Sequence, residues 1–175
     1  MPILSEESSV IPFAERAGWS CYWLVDPLDG TKEFVQRNGQ FTVNIALIVD
    51  HEPVLGVVRV PVTGVGYFAV RGYGAFRQEP GQVPQLIRVK PLRRGEPVRV
   101  VGSKSHGGPR LQSFAAGLGV HKLVTIGSSL KFCQVAEGLA DVYPRFGLTS
   151  EWDTAAAQAI VEVAGGQVLS MATGQ

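Results

Sequence analysis

The segment that decides how this chain folds is Trp23-Leu24-Val25-Asp26-Pro27-Leu28-Asp29-Gly30-Thr31-Lys32-Glu33-Phe34. Its first residues are apolar and predict a short buried strand that ends at Val25. The proline and glycine that follow predict a turn, and Asp26 and Asp29 lie at the mouth of this turn, three residues apart. Two carboxylates that converge there offer oxygen ligands to a hard divalent cation such as Mg²⁺.

The residues after the turn suit a phosphate group. Gly30 leaves the backbone bare, and residues 31–34 can begin a helix whose free N–H groups face an anion. A simpler interpretation is that Asp-Pro-x-Asp-Gly is an ordinary turn with Asp29 as a helix N-cap. The spacing alone leaves both interpretations open.

Composition indicates a folded protein with ordinary surface charge. The chain has 175 residues, of which 45% are hydrophobic and 18% charged, with a net charge of +1. These values fit a single domain or part of one, and they give no argument for binding a nucleic acid polymer or a membrane surface. No run approaches the roughly 18 apolar residues of a transmembrane helix, and the N-terminus lacks a signal-peptide pattern.

The two cysteines, Cys21 and Cys133, have neither a disulfide framework nor metal-ligand spacing. We expect both to be reduced core residues of a cytoplasmic protein, with Cys133 on the apolar face of a helix.

The order of predicted elements indicates a layered α/β protein with a mixed sheet. Residues 41–49, 54–60 and 65–70 are strand-like, and their short connections predict an antiparallel meander. Glycines and prolines make residues 72–97 irregular. Beyond them we expect strands at 98–102, 122–126 and 167–169, an extended segment at 141–144, and helices at 110–117, 130–139 and 152–164.

Acidic residues elsewhere in the sequence can join the Asp26/Asp29 turn. Glu6 and Glu7 precede the first long strand and can fold back beside it, although a solvated acidic loop explains them equally well. Asp153 lies in the first turn of the Ala-rich helix. There it can ligate a metal, or form a capping box with Ser150 and complement the helix dipole without any metal.

A polar and basic group of residues can bind an anionic substrate. It comprises Ser103 to His106 after a strand, Gly127 to Lys131 at the start of a helix, and Arg145. Hydroxyl and N–H groups at a helix start, with cations nearby, suit an anion. The serines can equally be helix caps and the cations surface charge.

Taken together, these segments resemble the inositol-monophosphatase-like, lithium-sensitive metal-dependent phosphatases over nearly the whole chain. Three signatures occur in order: Ser5-Glu6-Glu7-Ser8, then residues 23–31 (WLVDPLDGT), then Trp152-Asp153-Thr154-Ala155-Ala156. The branch that looks most similar is the 3′(2′),5′-bisphosphate nucleotidases, on the basis of residues 29–34 (DGTKEF), 38–44 (NGQFTVN), 127–133 (GSSLKFC) and 140–145 (ADVYPR).

The resemblance implies a fold of the inositol-monophosphatase αβαβα type and a site for two or three Mg²⁺ ions. The implied reaction is hydrolysis of adenosine 3′,5′-bisphosphate to AMP and phosphate. The alternatives are an inositol or sugar monophosphatase and a non-catalytic fragment; a homodimer is left open. The metal ligands that the resemblance implies are Glu6, Asp26, the Leu28 carbonyl, Asp29 and Asp153. It implies two catalytic residues, Glu6 and Thr31. The substrate-binding residues that it implies are Leu28, Asp29, Gly30, Thr31, His106, Ser128, Ser129, Lys131, Arg145 and Asp153.

The sequence departs from the family pattern at both ends. The family has a longer N-terminal part, with helices and an acidic residue that works with Thr31 on the attacking water, and a further strand and helix at the C-terminus. We therefore expect a single partial domain, with a metal and phosphate part at about 1–100 and a substrate-binding part at about 98–175. We also expect the missing helical layer to leave an apolar face exposed, which makes the isolated chain prone to aggregation.

Overall fold

The computed structural model describes residues 1–103, 108–171 and 173–174. The strands are β1 (Ile3–Ser5), β2 (Cys21–Asp29), β3 (Thr42–Val49), β4 (Glu52–Arg59), β5 (Gly66–Val70), β6 (Gly74–Gln78), β7 (Gln85–Ile87), β8 (Val98–Gly102) and β9 (His121–Thr125). The helices are α1 (Phe13–Arg16), α2 (Thr31–Val35), α3 (Gly108–Gly117), α4 (Leu130–Ala136) and α5 (Glu151–Val163). No helix in this part of the chain is long and apolar enough to cross a membrane.

The first seven strands form one mixed sheet in which neighbours in sequence are neighbours in space. β1 is parallel to β2, and every other pair from β2 to β7 is antiparallel. β8 and β9 form a second, parallel pair. The predicted antiparallel meander and mixed sheet are confirmed.

A bulge in β2 brings the two aspartates of the deciding segment to one side of the sheet. Residues three apart on a regular strand point to opposite faces. Here Asp26 pairs with Asn44 and Asp29 with Thr42, so three steps along β2 match two steps along β3. The extra residue puts both aspartates on the same face. The predicted end of the strand at Val25 was therefore wrong: β2 continues through the bulge, and the turn comes at Gly30.

Helix α5 lies against this same face, and small residues allow it to approach closely. A Cβ atom added to Gly56 of β4 would lie 2.0 Å from the carbonyl oxygen of Ala156. Ala46 and Ala69 flank Gly56 in register on the neighbouring strands, and both are fully buried. The Ala-rich sequence of α5 thus matches a row of small residues on the sheet, and the main core lies between them.

The opposite face of the large sheet is apolar and only partly covered. Its side chains alternate with those of the α5 face and are half-buried or exposed: Ile3, Trp23, Val25, Ile45, Leu47, Leu55, Val57, Phe68, Val70, Phe76 and Leu86. Buried residues of the covered face, such as Leu24 and Val58, are less than 4% exposed. In the described chain this apolar face is therefore less buried than the face under α5; that a missing helical layer leaves it so stays a prediction.

We predict that this uncovered face causes self-association of the 175-residue chain. Leu47→Thr, which makes the face more polar without emptying the core, should shift sedimentation profiles towards monomer and leave the melting temperature nearly unchanged. The matched control is Val58→Thr on the covered face, which should lower the melting temperature because it buries a hydroxyl. A wild-type chain that stays monomeric at high concentration would contradict this prediction.

Three sequence predictions about smaller elements were wrong. Residues 72–97 are not wholly irregular, because β6 and β7 extend the meander and Phe76 stacks on Phe68 at 5.4 Å between ring centroids. Residues 167–169 form no strand, since they pair with no other strand of the described chain. Cys133 is fully buried as expected, but Cys21 is only half-buried because it lies on the uncovered face of β2.

Candidate metal and phosphate site

Three aspartates from two elements meet at one end of the large sheet. Asp26 and Asp29 come from β2 and Asp153 from the first turn of α5, and ligand oxygens of the three lie within 4.8 Å of one another. The bulge in β2 and the close packing of α5 create this arrangement. It brings together three of the residues that the sequence proposed as metal ligands.

Asp26 is a buried carboxylate with an unused oxygen. It is 1% exposed, and its Oδ1 accepts a hydrogen bond from the Leu28 N–H at 2.9 Å. Its Oδ2 is buried without a hydrogen-bond partner in the described structure. Burial, with added repulsion from the charges of Asp29 and Glu6, raises the pKa of Asp26 to about 8. Such a carboxylate needs a cation close to it to remain ionised at neutral pH.

Asp29 is held in place through one of its own carboxylate oxygens, Oδ2. Its Oδ2 accepts hydrogen bonds from the Ser129 N–H and hydroxyl, both at 2.6 Å, and from the Thr42 hydroxyl and the Asn44 amide, both at 3.3 Å. Within the described residues, no hydrogen bond occupies Oδ1. The same carboxylate is therefore fixed in orientation and still able to ligate.

Asp153 caps α5 with one of its two carboxylate oxygens. Its Oδ2 accepts hydrogen bonds from the Ser150 N–H and the Thr149 hydroxyl, both at 2.9 Å, and caps α5. The predicted capping box is confirmed. Capping occupies one oxygen, so the other carboxylate oxygen remains available to a cation.

The three aspartates fit a divalent cation. Each has one oxygen engaged by protein donors and a second that no described donor occupies, and one of these second oxygens is buried. Three carboxylates this close repel one another unless positive charge lies between them. Oxygen ligands of this kind are those that hard divalent cations prefer.

Glu6, Leu28, Gly30 and Thr31 border this cluster without belonging to it. Glu6 follows β1, donates its N–H to the Val25 carbonyl at 3.2 Å, and has an exposed side chain close enough to raise the pKa of Asp26. Leu28 lies in the bulge, where it has no partner residue on β3. Gly30, with φ of +93°, immediately precedes α2, and Thr31 is the exposed first residue of that helix.

A cavity of about 680 Å³ opens beside the cluster. Its wall includes most of the residues that the sequence proposed for substrate binding: Asp29, Gly30, Thr31, Ser128, Ser129, Lys131, Arg145 and Asp153. His106, also proposed, lies outside the described residues. The cavity extends from the start of α2 to the polar loop before α4.

Two cations line the cavity in different ways. Lys131 is 4% exposed, donates to the Ser128 carbonyl at 2.6 Å and lies 5.4 Å from the centre of the Tyr143 ring. Burial lowers the pKa of Lys131 to about 8, although the negative charge of Asp29 opposes this effect. Arg145 is exposed and donates to the Leu148 carbonyl at 2.8 Å.

The loop before α4 contains two serines, of which Ser128 has a strained backbone and Ser129 is hydrogen-bonded to Asp29. Ser128 has φ of +46°, a conformation that costs a non-glycine residue free energy, and its buried hydroxyl has no partner in the described chain. Ser129, one residue later, is 2% exposed and bonded to Asp29. The hydroxyl groups of these two neighbouring serines therefore differ in what they contact.

Sequence reasoning missed Thr42 and Asn44 as site residues. Both are almost completely buried and both bond Asp29. A signal was present: in residues 41–49 (FTVNIALIV), polar side chains recur at alternate positions of an otherwise apolar strand. Polar residues on the buried face of a strand need partners, and here those partners are at the site.

Comparison with known proteins agrees with this geometry. A model described as the inositol monophosphatase family matches residues 1–175. The chain is 54% identical over 168 residues to the 3′(2′),5′-bisphosphate nucleotidase CysQ of Salmonella typhimurium, an alignment that covers 96% of this chain and 66% of that protein. It thus spans slightly less than two thirds of the length of this curated relative.

Solved structures give the same result. CysQ from Bacteroides thetaiotaomicron superposes with a TM-score of 0.84 at 45% identity, over 94% of this chain and 66% of that one. Inositol monophosphatase from Anabaena (Nostoc) sp. PCC 7120 superposes with a TM-score of 0.76 at 27% identity, over 98% of this chain and 70% of that one. The chain belongs to the inositol monophosphatase family, a family of metal-dependent phosphatases.

Proposed function

We propose that this chain is the metal- and substrate-binding part of a Mg²⁺-dependent phosphomonoesterase. The proposed reaction removes the 3′-phosphate of adenosine 3′,5′-bisphosphate and gives AMP and phosphate. The observation that carries the proposal is the convergence of Asp26, Asp29 and Asp153 beside a cavity that contains a buried ammonium group, Lys131. The printed name of the 54% identical relative supports the substrate.

Two or three Mg²⁺ ions would be held by the acidic cluster and its neighbours. The proposed ligands are Glu6, Asp26, the Leu28 carbonyl, Asp29 and Asp153. When bound, the metal neutralises the developing charge on the phosphate and lowers the pKa of a bound water. The two free cysteines suit a reducing, cytoplasmic location, and a homodimer remains compatible with the proposal.

The residues at the start of α2 would orient the reacting groups. The N–H groups of Gly30 and Thr31 would donate to the phosphate oxygens, and the Thr31 hydroxyl and Glu6 would position the attacking water. The water oxygen bonds to phosphorus while the bond from phosphorus to the 3′-oxygen breaks. One water proton ends on the 3′-oxygen of AMP and the other stays with the phosphate product.

The second phosphate would bind towards Lys131 and Arg145. An ammonium group has three donors, and within the described residues that of Lys131 makes one hydrogen bond, to the Ser128 carbonyl. A buried cation with donors to spare is well placed to form charge-assisted hydrogen bonds with a phosphate. The exposed Arg145 is screened by water, so we expect it to contribute less.

We predict that Lys131→Ala raises KM for the bisphosphate about 10-fold or more, in line with the loss of a hydrogen bond to a charged group. KM for a simple monophosphate should change little. Arg145→Ala should act in the same direction with a smaller effect. Equal losses on both substrates would show that these residues only support the fold.

The pH dependence provides an independent check on Lys131. Burial has the largest effect on the pKa of Lys131 and lowers it; among the neighbouring charges, Asp29, Glu33 and Asp153 favour the ammonium form and Arg145 opposes it. With a pKa of about 8, Lys131 is charged below pH 8 and loses its charge above it. KM for the bisphosphate should therefore rise between pH 7 and 9 and converge on that of Lys131→Ala. A KM ratio of wild type to variant that is constant with pH would contradict this assignment.

The second candidate is an inositol or sugar monophosphatase, which the Anabaena structure favours by its similarity. Phosphate release should be measured on adenosine 3′,5′-bisphosphate and inositol monophosphate, with this chain and with the Salmonella relative in parallel. We expect faster release from the bisphosphate. Preference for inositol monophosphate would establish the second candidate. Release by the relative but not by this chain would show a non-catalytic fragment.

A further inference from the structure

We propose that Ser129 is a positioning residue that fixes the carboxylate of Asp29 for cation binding. The inference rests on the proposed metal site, and it replaces the expectation that Ser129 binds substrate. Ser129 joins three elements: β2 through Asp29, β3 through Asn44, and the start of α5 through Asp153.

The hydrogen bonds of Ser129 leave no donor for a ligand. Both its N–H and its hydroxyl lie 2.6 Å from Asp29 Oδ2. A hydroxyl has one donor and two acceptor lone pairs, and here it accepts from Asn44 Nδ2 at 3.0 Å. Because Asp29 engages both donors of Ser129, neither can donate to a substrate in the cavity without first releasing Asp29.

This arrangement decides which oxygen of Asp29 can bind a cation. Two short bonds from Ser129, joined by weaker ones from Thr42 and Asn44, gather at Oδ2. No described donor occupies Oδ1, so rotation of the carboxylate is prevented without blocking it as a ligand. Partners that orient a metal ligand in this way typically change metal affinity 10- to 100-fold when removed.

Ser129 also links the aspartates of the two elements. Its hydroxyl lies 3.1 Å from the Asp153 backbone carbonyl. The preceding residue, Ser128, is held in its unusual conformation with its carbonyl bonded to the Lys131 ammonium. The residues before α4 thus accept the hydrogen bond of the Lys131 ammonium and also contact both Asp29 and the start of α5.

The test is the affinity of the 175-residue chain for Mn²⁺ and Mg²⁺, measured by calorimetry without substrate. We expect Ser129→Ala to weaken the binding of both ions about 10-fold or more. The matched control is Ser128→Ala, which removes a neighbouring buried hydroxyl that has no described partner and should change the affinity less than twofold. Asn44→Ala removes a weaker bond to the same oxygen and should have an intermediate effect.

The outcomes separate this inference from the proposed function. Metal binding by wild type and Ser129→Ala with equal affinity would overturn the role of Ser129 and leave the metal site standing. No metal binding by wild type would overturn the metal site itself. If Ser129→Ala does not fold, as its melting curve without metal would show, Asn44→Ala decides: unchanged affinity overturns the inference, and weaker affinity supports it.

Discussion

Replacing Asp29 with asparagine should reduce phosphate release by about 10³-fold or more, because the proposed metal supplies several kcal/mol of transition-state stabilisation. The environment of this residue makes the change severe in either orientation of the new amide. With the amide oxygen at the Oδ2 position, the NH₂ group faces the cation. With the amide flipped, its NH₂ group takes the Oδ2 position and faces two other donors. These are the Ser129 N–H and hydroxyl, which in the wild-type chain lie 2.6 Å from Oδ2.

The measurement is single-turnover phosphate release at saturating Mg²⁺, together with the metal affinity of the same variant. Asp50→Asn is a matched control, because Asp50 is exposed in a turn with φ of +49°, which asparagine also tolerates. The control should keep wild-type activity. Turnover of Asp29→Asn within twofold of wild type would remove Asp29 from the site.

The sequence was sufficient to predict most of the fold because its patterns are local. The alternation in residues 41–49 and the short connections after it define an antiparallel meander, and the Ala-rich run defines α5. The bulge in β2 was not predicted, because a bulge depends on how two strands pair and not on one strand alone. Its proline and two aspartates indicate a turn by composition, but pairing with Thr42 and Asn44 continues the strand.

The residues of the site were easier to predict than their roles. Serines at the start of α4, with Lys131 one turn later, indicated a polar helix start facing an anion. The sequence could not show that Ser129 is buried against Asp29 whereas the Ser128 hydroxyl has no described partner, because that difference comes from a single left-handed residue. For the same reason, Lys131 could not be recognised as a buried cation until α4 was placed against the cavity.

The close approach of α5 to the sheet leads to the largest expected effect on stability. Gly56→Ala adds one methyl group, which would lie 2.0 Å from the Ala156 carbonyl oxygen. Because this oxygen belongs to the backbone of α5, it cannot rotate away as a side chain can. We expect a loss of about 3 kcal/mol in the free energy of unfolding, at the upper end of overpacking effects. For a chain of this size, that corresponds to a fall in melting temperature of about 10 °C.

The same substitution should also weaken metal binding, since α5 carries Asp153 and must move away from β4 to accommodate the methyl group. Gly66→Ala on β5 is the matched control: its added Cβ would meet only the Arg59 side chain, at 3.3 Å, and its backbone has no positive φ. Calorimetric melting and metal titration of both variants test the argument. If Gly56→Ala melts within a degree of Gly66→Ala and binds Mg²⁺ equally well, the contact between α5 and β4 does not hold Asp153 in the cluster.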